Sequence, residues 1–542
     1  MTGLMARAMQ DWPLTVDRII LHAERSHADV AVMSRRADGT LNHSSYGAVA
    51  EAARGVSRAL ASAGIGRGDT VATLAWNSER HLALWYGISG MGAICHPLNP
   101  RFSIDQLAYV VAHARDRILF VDAAFMPLVL SMAHHLRRLE RVVVLEAYGG
   151  ETGGLPVVSL DAFVTGAANV PTPQWGDFAE TTPCALFYTS GTTGNPKGVI
   201  YTHRSNVFHA MALGLGYGFS IVDTIMPIVP MFHANGWGLP YLAPVLGVPL
   251  AMPGSEMDPA SLYATMEDCK VTAAAGVPTI WTGLLQHLRA TGETISTAKR
   301  LYSAGSATSP ALMRAYSREQ GVRIIPSWGM TELSPSGTVG AGLKPHDRDD
   351  DPRQGRFVFG VEGVVSDDAR HPVEHDGTTI GALRVRGAAA VLRYAEAQED
   401  AVDDDGWFDT GDLAVVHPDG AIEVVDRAKD VIKSGGEWIS STALERAAAE
   451  HPAIEMCAAI GVPDPKWDER PLLLIKASGD PAMIVDEVRT LLHATLPRWW
   501  VPERIECVHG FPFGSTGKVD KKLLRAHYAD HIATSLAGAL PG

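Results

Sequence analysis

Cysteine is scarce and scattered in this chain: there are five, Cys95, Cys184, Cys269, Cys457 and Cys507, and no Cys-x-x-Cys spacing occurs. That excludes a disulfide framework and a thiolate zinc site, and points to buried free thiols in a reducing cytoplasm. Positive charge is also in short supply. Lys and Arg total 46 against 60 Asp and Glu, a formal net charge of −14. No Lys/Arg stripe is present to follow a phosphate backbone, so nucleic-acid binding is excluded as the main function. Long apolar runs are missing too. Nothing approaches the roughly 20 residues needed to span a bilayer. Asp11, Asp17 and Arg18 interrupt the segment from Met1 to Ser26, where a secretory h-region would lie. The expectation is a cytoplasmic enzyme with no integral membrane segment. With 46% hydrophobic and 20% charged residues over 542 positions, the chain is globular and too long for one core.

What is present begins with Tyr188-Thr189-Ser190-Gly191-Thr192-Thr193-Gly194-Asn195-Pro196-Lys197-Gly198, directly after the apolar run Ala185-Leu186-Phe187. A buried strand entering a Gly-rich turn delivers backbone N–H groups to an anion. The hydroxyls add donors and the lysine adds a point charge. A polyphosphate is the expected ligand. The kinase-type P-loop, G-x-x-x-x-G-K-[ST], does not fit. Lys197 follows Pro196 rather than Gly, and Gly198 after it has no hydroxyl for a magnesium ion.

The flanking chain alternates helix and strand. Tyr46 to Gly64 and Glu79 to Gly92 read as helices. Asp69 to Leu74, Ile118 to Val121, Arg141 to Leu145 and Arg323 to Pro326 read as buried strands. That alternation predicts an α/β domain of mostly parallel sheets flanked by helices. From about residue 340 shorter β segments take over, among them Leu383–Arg386 and Ala421–Val425. The run Asp403-Asp404-Asp405-Gly406 lacks the spaced oxygen ligands and distal Glu of a calcium loop and reads as a solvated turn. A small α+β domain is expected over 429–542, after a large domain over 1–428. Its predicted helices are Thr442 to Glu450 and Ile484 to Ala494, and its strands Met456 to Val462 and Leu472 to Ala477.

Further motifs follow in order: Ser327-Trp328-Gly329-Met330-Thr331-Glu332, Trp407 to Asp412, Asp426-Arg427-Ala428-Lys429-Asp430, Lys433-Ser434-Gly435-Gly436-Glu437 and Ser515-Thr516-Gly517-Lys518. Together with the phosphate loop they resemble the adenylate-forming superfamily of acyl-CoA synthetases, luciferases and peptide-synthetase adenylation domains. The likeness spans nearly the whole chain and lies nearest the branch of medium- and long-chain fatty-acyl and 3-methylmercaptopropionate CoA ligases.

The resemblance implies a division of labour. Thr189, Ser190, Gly191, Thr192, Thr193, Gly194 and Lys197 would cradle the phosphates of ATP, and Thr189 with Glu332 would hold Mg²⁺. Gly305, Ser306, Ala307, Trp328, Gly329, Met330 and Thr331 would face the adenine, Trp328 standing where tyrosine is more usual. Asp412, assisted by Arg427, would bind the ribose. Lys518 would bridge the substrate carboxylate and the α-phosphate, with Thr189, Glu332 and His233 completing the catalytic set. His233, Trp237, Gly276, Val277, Ala304, Gly305 and Gly329 would line the acyl site, Trp237 as its gate. Lys429 matches the hinge. Lys433, Gly435, Gly436, Glu437 and Trp438 would meet coenzyme A.

The activity this implies is an ATP-dependent, AMP-forming ligation of an apolar carboxylic acid to coenzyme A. The partners are then small molecules, and a homodimer is among the assemblies the sequence allows. Two other readings share these motifs: a stand-alone amino- or aryl-acid adenylating domain, and a non-catalytic acyl- or nucleotide-binding protein. Met231 to Gly238 contains no acid to pair with an α-ammonium group, which counts against amino acids. The acid itself is not legible.

Overall fold

A computed structural model describes residues 9–189, 195–341, 347–435, 437–514 and 518–528. Two large sheets dominate the first 360 residues. In the seven-stranded sheet the order is Val157–Ser159, Arg141–Val144, Ile118–Val121, Thr70–Leu74, Ile94–Pro97, Pro183–Thr189 and Lys197–Thr202. All pairs are parallel except the last, an antiparallel hairpin whose register sets Thr189 opposite Lys197. A nine-stranded sheet runs through Arg323–Gly329, Arg300–Ser303, Ala273–Gly276, Ile225–Pro227, Leu250–Met252 and Ala31–Arg35 in parallel, with antiparallel strands at its two ends.

Helices fill the space between the sheets and cover their outer faces. Glu79–Gly90 lies at the centre, buried at every position from His81 to Gly90, which is why its apolar pattern runs all round rather than along one stripe. Ser45 and Ser78 accept from the N–H groups of Ala48 and His81 and so cap the two predicted helices, which end at Ser62 and Gly90. Each cap contributes about 1 kcal/mol. One buried cluster joins residues of both sheets, among them Phe120, Phe187, Ile225, Leu250 and Tyr302.

Asn77 ties the sheets together at their functional ends. It follows Thr70–Leu74 and is 2% exposed. Its Nδ2 donates to the carbonyls of Pro227 (2.8 Å) and Val229 (2.9 Å), and its Oδ1 accepts from the N–H of Met231 (2.6 Å). The Asn77 carbonyl also accepts from Gly254 N–H at 3.2 Å, a single backbone bridge just beyond Leu250–Met252, so side chain and backbone join the sheets together.

Beyond residue 360 the sheets turn antiparallel, except that Arg504–Cys507 pairs in parallel with Asp468–Ala477. Val361–Ser366, Gly381–Gly387, Phe408–Val416 and Ile422–Arg427 form a four-stranded sheet. The expected turn at 403–406 is present: Asp403 Oδ1 accepts from the N–H groups of Asp405 and Trp407, and Oδ2 pairs with Arg384 and Arg370. The last sheet holds Glu437–Ile439, Ile432–Ser434, Asp468–Ala477, Ile454–Asp464 and Arg504–Cys507 against helices Ser441–Ala448 and Pro481–Thr495. Every predicted element of this part is found, and the two long strands extend several residues past their apolar runs because each pairs with the other along its length. The thiols are free as expected, but Cys507 is exposed rather than buried, since it ends an edge strand.

Replacing Asn77 with Ala would strand two buried carbonyls and one N–H. We expect a loss of about 3 kcal/mol from the large-domain unfolding transition, read by urea denaturation.

Candidate functional site

The segments singled out in the sequence converge because each follows the carboxyl end of a parallel strand, where open α/β sheets form their crevice. Thr189 ends Pro183–Thr189, Val277 follows Ala273–Gly276, Ala304 to Ala307 follow Arg300–Ser303, and Gly329 ends Arg323–Gly329. Pro230 to His233 follow Ile225–Pro227. Ser190 to Gly194, Gly436 and Ser515 to Gly517 lie outside the described residues.

Lys518 enters this crevice from the small domain. Gly305 has φ +92°, and a Cβ there would sit 3.5 Å from Lys518 Cε and 3.3 Å from Val277 Cγ1. Glycine takes this positive φ without strain, and the lysine stem lies within van der Waals reach of the turn. Burial, then the neighbouring Arg427 guanidinium, pushes Lys518 down to about 8, with Asp412 acting in the opposite direction and Lys429 adding to the depression. His233 is pushed down to about 4 by burial, and then by Lys518 and Arg101. It is therefore a neutral imidazole near pH 7, and it lies close enough to feel the lysine.

Asp412 is 4% exposed, and both of its oxygens are engaged. Arg427 Nε approaches Oδ1 at 3.0 Å, its register partner across two antiparallel strands. The indole Nε1–H of Trp328 donates to Oδ2 at 2.8 Å. The predicted adenine-side and ribose-side motifs are therefore bonded to each other directly.

Glu332 is buried on a short 3₁₀ turn, Thr331–Leu333, and burial raises its carboxyl above the usual range. Tyr394, absent from the sequence reading, donates its phenol to Glu332 Oε1 at 3.0 Å, and its ring lies 4.9 Å from the Lys197 ammonium. One tyrosine so connects Lys197 to Glu332, the acid expected at the metal, with Thr189 across the hairpin from Lys197. A desolvated carboxylate suits Mg²⁺, a hard ion that usually takes one or two protein oxygens and completes its shell with phosphates and water. Tyr394 carried no sequence signal, because it lies 62 residues from Glu332.

The segment expected at the acyl site has unusual backbone. Ala234, Asn235, Gly236, Trp237 and Gly238 have φ of +45°, +61°, +55°, +53° and +75°, a left-handed turn in which three residues are not glycine. Such conformations cost about 1 kcal/mol or more each and persist where packing over-determines them. Here Asn235 is fully buried, with Nδ2 donating to Asn206 Oδ1 at 2.8 Å, and a Cβ on Gly238 would strike His209. Trp237 is half-buried against the main core. Trp76 stacks on Phe125 and meets Phe232 edge-on, adding aromatic surface beside His233.

The residues expected at coenzyme A are elsewhere. Lys433, Glu437 and Trp438 are exposed on the hairpin of Ile432–Ser434 and Glu437–Ile439. Gly435 has φ +61° and packs on the Trp467 ring, its N–H donating to the Trp467 carbonyl at 2.8 Å. Among the described residues, no hydrogen bond or ion pair links this hairpin to the crevice that holds Lys518. Lys429 is exposed between the third and fourth sheets, and burial of its surroundings lowers its pKa.

Tyr394→Phe keeps the ring under Lys197 and removes the bond to Glu332. The expected outcome is a rise of about 3- to 10-fold in the Mg²⁺ concentration for half-maximal pyrophosphate release, with an unchanged thermal midpoint.

Comparison with known proteins gives two family models in tandem: AMP-binding enzyme over residues 21–395, and AMP-binding enzyme C-terminal domain over 443–518. The chain is 41% identical to a 3-methylmercaptopropionyl-CoA ligase of Ruegeria pomeroyi, covering 97% of this chain and 99% of the relative. It is 38% identical to a medium-chain-fatty-acid–CoA ligase of Ectopseudomonas oleovorans, over 96% and 97%. Among solved structures, an anthranilate CoA ligase in complex with anthranoyl-AMP superposes with a TM-score of 0.86 at 26% identity, over 97% of this chain and all of that one.

Proposed function

The chain belongs to the AMP-binding enzyme family, and from that membership we propose that it is an AMP-forming acid–CoA ligase acting on an apolar, medium-length or methylthio-substituted carboxylic acid. The observation that carries this reading is Lys518 lying against Gly305 with Asp412 and Arg427 close enough to act on its charge. Relatives at 38–41% identity that ligate 3-methylmercaptopropionate or medium-chain fatty acids support the choice of acid. So does a wall built from Trp76, Phe232 and Trp237 with no carboxylate from Met231 to Gly238.

A carboxylate oxygen attacks the α-phosphorus of ATP, and the bond to the pyrophosphate oxygen breaks. Negative charge gathers on the α-phosphoryl oxygens, and Lys518, with three donors, neutralises it while holding the attacking carboxylate. Lys197 faces the departing phosphates, and Asp412 with Arg427 orients the ribose. Mg²⁺, held by Glu332 and Thr189, would screen the triphosphate. His233, neutral and apolar-flanked, closes the site against water. The thiol of coenzyme A then attacks the acyl carbon, its proton passing to solvent, and AMP leaves with the electron pair.

The second step needs a different catalytic face. We assign residues 1–428 and 429–542 to two domains that rotate about Lys429. The four-stranded sheet ends at Arg427 and the next begins at Ile432, so the joint carries no sheet pairing. In the arrangement seen, Lys518 occupies the crevice and the hairpin 432–439 is exposed, which suits adenylation. Rotation would exchange them, bringing Lys433, Gly435, Gly436, Glu437 and Trp438 to the pantetheine arm.

Lys518→Ala should cut pyrophosphate release by about 10²- to 10³-fold while nucleotide binding persists. Unchanged turnover would remove Lys518 from the mechanism. Because the protonated lysine is the active form and its pKa is about 8, activity is present below that value and lost above it. In wild type, kcat/KM for ATP should fall as pH rises through about 8, and Lys518→Arg should move this limb upward. Coenzyme A-dependent AMP formation should be supported by 3-methylthiopropionate and straight-chain acids; support from amino acids alone would overturn the ligase assignment.

A further inference from the structure

The bond from Trp328 to Asp412 gives the tryptophan a task that a wall beside the base does not require. Only 8% of Trp328 is exposed. A Cβ on Gly337 would fall 2.5 Å from the indole ring, so that glycine leaves room for the indole to lie on the 336–339 strand. The backbone N–H of Trp328 donates to Thr338 Oγ1 at 3.2 Å, and the Thr338 hydroxyl in turn donates to the Gln354 carbonyl at 2.7 Å. The indole is therefore immobilised, with its single polar atom aimed at Asp412 Oδ2.

We infer that Trp328 is a positioning residue for ribose recognition, acting through the carboxylate of Asp412. This rests on the proposed ribose role of Asp412. An ionised carboxylate offers about four acceptor sites. The indole N–H takes one on Oδ2 and Arg427 Nε takes one on Oδ1. Each oxygen keeps one site, and a vicinal diol presents two hydroxyl donors. Without the indole N–H, Asp412 is held only by Arg427, whose side chain is 44% exposed. Its plane would then be free to turn away from the two hydroxyls. Phenylalanine at 328 retains an aromatic wall and loses only this bond.

The test compares ATP with 2′,3′-dideoxy-ATP in pyrophosphate release at saturating acid without coenzyme A. Trp328→Phe should raise KM for ATP on the order of tenfold, the weight of a charge-assisted hydrogen bond, with kcat within about twofold. On the dideoxy nucleotide, wild type and Trp328→Phe should agree within about twofold. The double variant with Asp412→Ala should be no worse than Asp412→Ala alone. An equal loss on both nucleotides, or no loss on ATP, overturns the inference. If Asp412→Ala itself shows no difference between the nucleotides, it is the ribose role of Asp412 that fails. Should Trp328→Phe not fold, ¹⁵N-indole-labelled wild type and Asp412→Ala decide the matter: one low-field indole N–H signal should move upfield on losing its acceptor, and none moving overturns the bond.

Discussion

The site depends on one electrostatic arrangement, a lysine half-buried among other cations in a strongly acidic protein. Lys518 sits near Arg427 and Lys429, and the nearby acid that favours its charge is Asp412. In water such like-charge repulsion is screened, but in a crevice walled by strand ends it is several-fold stronger. Under the proposed function, that unfavourable field would become favourable when a triphosphate enters. Lys518 is held there beside the turn at Gly305, whose φ of +92° favours glycine.

The two carboxylates of the crevice are handled in parallel ways. Glu332 receives the Tyr394 phenol and Asp412 the Trp328 indole, each from an aromatic side chain packed into the wall. A neutral donor orients an acid without cancelling its charge; Asp412 carries the Arg427 guanidinium in addition.

Lys518 comes from beyond a joint that has its own contacts. Asp426 is buried at the end of the four-stranded sheet, and its Oδ2 accepts from Ser441 N–H (2.6 Å), Ser441 Oγ–H (2.7 Å) and Thr442 N–H (3.3 Å). It thereby clasps the N-terminus of helix Ser441–Ala448, where a negative charge is favoured. Arg525 pairs with Asp430 from the far end of the small domain. These contacts flank Lys429 on both sides. In this arrangement they set the height at which Lys518 meets Gly305, and they are the contacts a rotation about Lys429 would have to remake.

Sequence by itself determined the family, the α/β class, the order of elements and the identity of the motifs. Those signals are local: a Gly-rich turn after a strand, a serine ahead of a helix, an apolar run of strand length. Tertiary structure decided who meets whom. Tyr394 touches Glu332 and Lys197, Trp328 bonds to Asp412, Asn77 holds the loop before His233, and the Ala234–Gly238 turn is left-handed. Each of these contacts joins strand ends far apart in the chain, or a backbone form that only packing can enforce. The spacing of residues along a sequence records local conformation. It does not record which strand ends a sheet order brings side by side.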